Sequence, residues 1–383
     1  MNLVKKISYN DRRLICLSFL LFIPPFLDFI KVLTRGDSSV YTYAVYILSL
    51  VYILFVFRKD INIESLVRLS LFFFIFAFSF LAFPETREYY SSDGFILLCA
   101  FFLPIISIVV RRIVDWSHFF AIMAWFGVVA LVMGVFIVFF SGVDNYNADE
   151  RYFTYMEFSY AQLPFVCSLY KYSRDNRSVL FFIFFVLGLI EIFALGSRAA
   201  HLFTVLFILL TEFFGQSNSL GRLVRDGIVI LIFLMSFNAI VNWLATLSIF
   251  GDSYVLQHLV GGEFFLHDTR EDIYQNCRSR IDSMGLEISG FFGDRPYCGS
   301  VYPHNIIYEV LMQWGWVIGS VFLLYILFLL IRLIREKQNI PMAMFLVCCL
   351  LGRYFFSGTY VIEGKFWIFY GCLIALTTRK KNK

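Results

Sequence analysis

Apolar residues in this chain come in unbroken runs of about 17–25, repeated from end to end and separated by short polar stretches. A helix of that length covers the roughly 30 Å of hydrocarbon in a bilayer. Only helices and closed barrels satisfy their backbone polar groups in lipid. Barrel strands alternate in polarity, and these runs do not. The pattern therefore predicts an all-α polytopic membrane protein. Its twelve expected spans fall near residues 14–33, 40–57, 66–83, 94–110, 117–140, 153–170, 178–196, 199–214, 227–247, 305–331, 341–357 and 360–376. The first run follows "MNLVKKISYNDRR" without a small-residue cleavage site and reads as a retained span. With no repeat, low-complexity tract or long linker, a single transmembrane domain over residues 1–383 is expected.

Composition agrees: 60% of residues are hydrophobic and 16% charged, against about a quarter charged in globular chains. The 48 Phe residues suit lipid contact. The net charge of +4 says little, whereas the placement of the basic residues says more. With the N-terminus inside, the cytoplasmic segments carry Lys5, Lys6, Arg12 and Arg13, then Arg58, Lys59 and Arg68, Arg111 and Arg112, Lys171, Arg174 and Arg177, Arg222 and Arg225, Arg332, Arg335 and Lys337, and the terminal Arg379, Lys380, Lys381 and Lys383. The positive-inside rule then puts both termini in the cytoplasm.

That orientation leaves one large external loop, about residues 248–304, between the ninth and tenth spans. Long ordered loops usually carry function. Residues 268–284 have the spacing of an interfacial helix with Arg270, Tyr274, Cys277 and Ile281 on one face. "ISGFFGDRPYCGS" is turn-rich and should return the chain to the membrane. Arg270, Arg278, Arg280 and Arg295 are offset by Glu271, Asp272, Asp282, Glu287 and Asp294, so solvated ion pairs stand as the plain alternative to a binding surface. Cys277 and Cys298 also lie here. An oxidising exterior would bridge them, restraining the loop by roughly 3 kcal/mol; two free thiols are the alternative. The other cysteines fall in spans, where Cys is an ordinary small apolar residue.

Charges in or beside spans are costly and so informative. Arg198 stands at the outer junction of the seventh and eighth spans, with Glu191 seven residues earlier on the same face and able to pair with it, and His201 one turn later. Asp28, Arg151, His304 and Glu309 also fall toward the outer side, and Arg353 lies deeper. A transporter would hold such groups near the midplane on broken helices in repeated halves. Clustering near the outer surface points instead to chemistry on a lipid-borne group. Interfacial snorkelling is the alternative, and it fits Arg151 best.

The stretch "VYPHNIIYEVLMQWGWVIG" brings polar residues to the outer end of the tenth span. Pro303 suits a first helical turn, so the helix is expected to start near His304, its N-terminal N–H groups ready for an anion. His304, Tyr308, Leu311 and Gly315 would form one stripe, and Asn305, Glu309 and Gln313 the next. Glu309 would lie about 7 Å below His304. No HExxH, P-loop, CxxC or paired-acid signature is present, and no metal, cofactor or nucleic-acid partner is expected.

These residues carry a resemblance. "PHNIIYEVLMQWG" resembles the His-Asn, nine residues, Gly signature of the bacterial O-antigen polymerase and O-antigen ligase superfamily. "GSRAA" resembles its Ser-Arg-Gly-Ala junction, with Ala199 where Gly is usual. "TREDIY" followed by "GFFGD" resembles its loop pattern. The order and separation agree over about residues 150–320, although the second Gly of "GWVIGS" comes one position late. The resemblance implies a metal-independent glycosyltransferase of the GT-C type in the bacterial inner membrane, facing the periplasm. Its donor would be a glycan on undecaprenyl diphosphate, with Arg198 and Arg270 on the diphosphate and His304 orienting or deprotonating the acceptor hydroxyl. Arg278, Arg280, Arg353, Asn305, Tyr308 and Glu309 are further substrate-binding candidates. A polymerase extends the next lipid-linked repeat unit, and a chain-length co-polymerase is then the expected partner. A ligase would transfer polymer to lipid A-core, and a non-enzymatic lipid-glycan flippase is the remaining alternative.

Overall fold

The computed structural model describes residues 8–34, 39–61, 63–92, 105–110, 112–113, 115–140, 155–194, 197–214, 271–299 and 302–378, with a few isolated residues between 239 and 260. Arg151, Arg270, most of the fourth and ninth expected spans, and the external loop up to residue 270 (apart from Val260) lie outside the described residues.

No strand occurs among the described residues. The helices are α1 (Tyr9–Thr34), α2 (Ser39–Val56), α3 (Ile63–Ala82), the short α4 (Arg87–Ser92), α5 (Phe119–Phe140), α6 (Tyr155–Asn176), α7 (Val179–Ala194), α8 (Arg198–Phe214), α9 (Glu271–Met284), α10 (Ile306–Ile334), α11 (Ile340–Phe345) and α12 (Gly364–Thr378). Three stretches among them are long and apolar enough to cross a membrane: Tyr9–Thr34, Phe119–Ile137 and Ile306–Ile334. Shorter apolar helices occupy Tyr41–Val56, Phe73–Ala82, Val179–Ile192, Ala199–Phe214 and Gly364–Thr377.

The chain gathers into two compact units, each built from two separate stretches: Met1–Val45 with Asp115–His267, and Tyr46–Val114 with Asp268–Lys383. In the first unit, α5 packs on α1 and α6, and α7 on α6. Phe22 of α1 meets Phe126 at 5.3 Å and Phe165 at 5.9 Å between ring centroids. Buried Gln162 of α6 donates to the Ala130 carbonyl of α5 at 2.7 Å. At the far end of α6, Arg174 pairs with Glu212, which also accepts from the Tyr170 hydroxyl at 2.6 Å.

In the second unit, α9 and α12 pack against α10. The expected eleventh span is not one helix. It runs as α11, a π-helical stretch Leu346–Leu351 and a 3-10 turn Gly352–Phe355. Residues 356–363 are then irregular, so the last helix starts at Gly364 rather than near residue 360. The turn-rich segment after α9 docks on α3. Phe291 stacks on Phe76 at 4.3 Å, and its N–H donates to Ser79 Oγ at 2.8 Å.

Candidate functional site

The α10 helix begins two residues later than the Pro303 signal suggests. Asn305 is the N-cap, with extended backbone and a side chain that accepts from the Ile307 N–H at 2.9 Å. Such a cap satisfies one of the donors that a helix start leaves open. Pro303 therefore sits outside the first turn, and His304 stands between proline and cap with φ 57. A left-handed backbone costs a non-glycine residue roughly 1–2 kcal/mol, with His among the more tolerant types. It persists where its surroundings fix it. Here the Tyr302 and His304 rings lie 4.4 Å apart, and Asn305 Nδ2 reaches the Phe355 carbonyl at 3.5 Å.

The far end of this segment is fixed by Gly315, at φ 69 and ψ 175, which interrupts α10. That conformation is essentially restricted to glycine. The break leaves the Gln313 carbonyl without its usual helical donor. It accepts instead from the Ser289 and Gly290 N–H groups at 3.0 and 2.9 Å. The loop after α9 is thereby hung on the interruption in α10. The expected single stripe from His304 through Gly315 is accordingly not continuous: His304 precedes the helix and Gly315 breaks it.

Between these two points the inner face of α10 is polar and buried. Glu309, 1% exposed, accepts from the Thr359 hydroxyl and from the Tyr360 N–H, the latter at 3.2 Å. Gln313 accepts from the Tyr360 hydroxyl at 2.6 Å and donates to Asp294 at 2.6 Å. Trp314 Nε1 donates to the same Tyr360 hydroxyl at 2.8 Å. Burial pushes the Asp294 carboxyl above the usual carboxylate range, opposed by neighbouring Arg295 and the Gln313 hydrogen bond. Glu309 thus holds the 359–361 segment against α10 and has no open face toward solvent.

The arginines fall into two groups. Arg353 is buried and bound to Glu363 at 2.9 Å, and Arg280 pairs with Glu287 at 3.2 Å beside the Tyr297 ring. The Arg353 pair is largely buried, whereas Glu287 of the Arg280 pair is exposed. Arg278 is exposed and donates through Nε to the Tyr308 hydroxyl at 3.0 Å. Arg295 is buried beside Asp294 at 3.9 Å and lies over the Tyr302 ring at 5.4 Å, the aromatic that packs at a tilt against His304. The structure therefore brings Tyr302, His304, Tyr308, Arg278 and Arg295 to the start of α10. Arg198 opens α8 in the first unit, where Ser197 Oγ accepts from the Ala200 N–H at 3.4 Å. The Arg198 side chain and all of Arg270 lie outside what is described.

On α9, Tyr274, Cys277 and Ile281 share the face turned to α10, as their spacing predicts. Cys277 and Ile281 pack with Cys298, Leu311 and Met312, and the Tyr274 and Tyr308 rings lie 5.6 Å apart. The Cys277 and Cys298 sulfurs are 3.4 Å apart as buried free thiols, beyond the roughly 2.05 Å of a bridge. The hydrogen bond between them lowers the Cys277 thiol and raises that of Cys298.

Sequence reasoning left out Tyr302, Thr359, Tyr360 and Glu363, and used Asp294 and Arg295 only as loop charges. An aromatic before Pro-His, and "SGTYVIEG" between two apolar runs, were the available signals. Among the described residues, no group of three or more His, Cys, Asp and Glu side chains is placed to hold a metal ion. In comparisons with known proteins, no family model matches the chain and no curated protein matches it.

Proposed function

We propose that this chain is a twelve-span glycosyltransferase of a bacterial inner membrane, with both termini cytoplasmic. It moves a growing O-antigen glycan from undecaprenyl diphosphate to the next lipid-linked repeat unit at the periplasmic face. The observation that carries the reading is His304, held in a left-handed backbone directly before a capped helix and packed at a tilt against Tyr302, which Arg295 overlies. Proton transfer needs a base within reach of the acceptor hydroxyl, and cations beside it favour a departing anion.

In the proposed reaction His304 takes the proton of the acceptor hydroxyl as its oxygen attacks the anomeric carbon. The bond from that carbon to the diphosphate oxygen breaks, and undecaprenyl diphosphate departs with the bonding electrons. Arginine suits the departing charge because its planar fork binds phosphate oxygens in pairs. The resemblance assigns this task to Arg198 and Arg270. Arg278, exposed and bonded to the Tyr308 hydroxyl, is a further candidate cation at the start of α10.

The test is deletion of the gene and complementation with His304→Ala, Arg198→Ala and Arg270→Ala, followed by gel analysis of the surface glycan. Deletion is expected to leave lipid A-core with a single repeat unit. Each variant should reach the membrane at wild-type level and fail to restore the ladder. Bare core with polymer retained on the carrier lipid would make the protein a ligase. A full ladder from His304→Ala would remove His304 from the chemistry.

A further inference from the structure

The first unit holds a carboxyl that the proposed glycosyl transfer does not use. Glu191, near the end of α7, is 5% exposed, and neither carboxylate oxygen has a hydrogen-bond partner among the described residues. It lies in a notch made by Gly134 of α5, where a methyl group would overlap the carboxylate. Packing of Gly188 on Val166, and of Gln162 on the Ala130 carbonyl, sets the helices in antiparallel register. This puts Ser159 and Gln162 of α6 at about the same level, within roughly one turn. Ser159 is fully buried, and its hydroxyl also has no hydrogen-bond partner among the described residues.

An unpaired carboxylate in an apolar interior is costly, and the acid avoids the cost by carrying a proton. No titratable side chain lies on α5. The others on helices packed against α7, in the same half, are Tyr155, Glu157, Tyr160 and Cys167 of α6 and Arg198 and His201 of α8. Gln162 uses its Nε2 on the Ala130 carbonyl, so the oxygens of Glu191, Ser159 and Gln162 could also serve a metal cation, and the sodium control below separates the two occupants.

We propose that Glu191 is a proton-binding site at the α5–α6–α7 junction, exchanging its proton with the surrounding solution through motion of these helices. Loss of the proton leaves a charge in the Gly134 notch that the packed junction does not accommodate, so proton release is tied to loosening of α7 from α5. The inference is independent of the proposed glycosyl transfer, and the failure of either leaves the other standing.

The experiment is labelling of the full-length protein, in membranes, with a hydrophobic carbodiimide. The protonated acid adds across the N=C=N group, its proton going to one nitrogen and its oxygen to the carbon. Acyl migration then leaves a stable N-acylurea with nothing expelled. Mass spectrometry of the Glu191 peptide is expected to show the adduct. Its yield should fall about tenfold per pH unit once the site has released its proton. Glu191→Gln, which keeps the shape and needs no proton, should fold with wild-type helix content and lose the adduct. An unmodified Glu191 at every pH overturns the proposal, as does a yield indifferent to pH, which would mark a proton that never exchanges. Protection by sodium at constant pH overturns it in favour of a metal cation.

Discussion

Gly315→Ala is the sharpest test of how the start of α10 is built. At φ 69 and ψ 175 an alanine pays about 1–3 kcal/mol for its backbone alone. Its Cβ would also stand 2.5 Å from the Glu287 carbonyl oxygen, a backbone atom that moves only with the whole loop. Overpacking of that kind costs about 1–3 kcal/mol more. The chain has one other way out, which is to heal the helix. The Gln313 carbonyl would then return to a helical donor, and the N–H groups of Ser289 and Gly290 would lose their acceptor. Each buried N–H left unpaired costs about 1–3 kcal/mol. Either route comes to at least about 2 kcal/mol, against a typical total stability of about 5–15. Gly285→Ala is the control. Gly285 also has positive φ, at 58, but nothing lies within 4 Å of its added Cβ, so strain of about 1 kcal/mol is all it meets. The cysteines Cys16, Cys167, Cys277, Cys298, Cys348, Cys349 and Cys372 are all buried and free. A dye that fluoresces on reaction with thiols therefore reports unfolding of the detergent-purified protein on heating. The midpoint should fall for Gly285→Ala and fall clearly further for Gly315→Ala. A Gly315→Ala midpoint equal to or above that of Gly285→Ala would refute the placement of the break and of the loop that hangs on it.

Three further outcomes follow from the same unit. Glu309→Ala should cost about 2–5 kcal/mol, because the Thr359 hydroxyl and the Tyr360 N–H lose their acceptor, while Glu309→Gln keeps one acceptor oxygen and should lose less; equal thermal midpoints for the two variants would contradict the hydrogen bonds. Mild oxidation should join Cys277 to Cys298 within one chain, as peptide mapping would show, and raise stability by roughly 3 kcal/mol; failure to form that link while both residues remain folded would sink the facing placement. The raised Asp294 carboxyl makes stability pH-dependent: its contribution is fully present below the unfolded carboxylate pKa near ~4 and is lost as pH rises toward the folded value, by at most about 1.4 kcal/mol per unit. Asp294→Asn should flatten that decline, measured by tryptophan fluorescence on heating across a pH series; an unchanged slope would assign the decline elsewhere.

Helix content and the shared face of α9 could be read from spacing, because burial of apolar side chains at helical intervals is a local property of the chain. The spacing of Tyr274, Cys277 and Ile281 predicts one face but not its partner, and the structure supplies Tyr308, Leu311 and Met312 of α10. The exact start of α10 was harder to read. Proline at a first turn and asparagine at a cap are both good helix starters, and they compete here two residues apart. The cap prevails, since an Asn305 side chain bonded to Ile307 fixes the first turn beyond His304. The break at Gly315 was invisible for another reason. A glycine in an apolar run reads equally as helix interior, and only the Ser289 and Gly290 N–H groups, more than twenty residues upstream, give it a reason to leave the helix. The partners of Glu309 and Gln313 come from residues 359–360 and 294, a pairing that no local pattern encodes.

Cap, break and buried network act on one short rod of helix. Residues 306–314 are held at one end by Asn305 and at the other by Gly315, and through the middle by Glu309 and Gln313. His304 stands at the free end of that rod in a conformation that, left to itself, would relax by roughly 1–2 kcal/mol. Its geometry therefore depends on residues it does not touch. Loosening Glu309 lets the rod shift and His304 relax, so Glu309 acts as a positioning residue. In the proposed reaction its loss should lower turnover with little change in donor affinity, and Glu309→Gln should restore most of it. Loss of donor binding with turnover intact would place Glu309 on the substrate and undo the argument from burial.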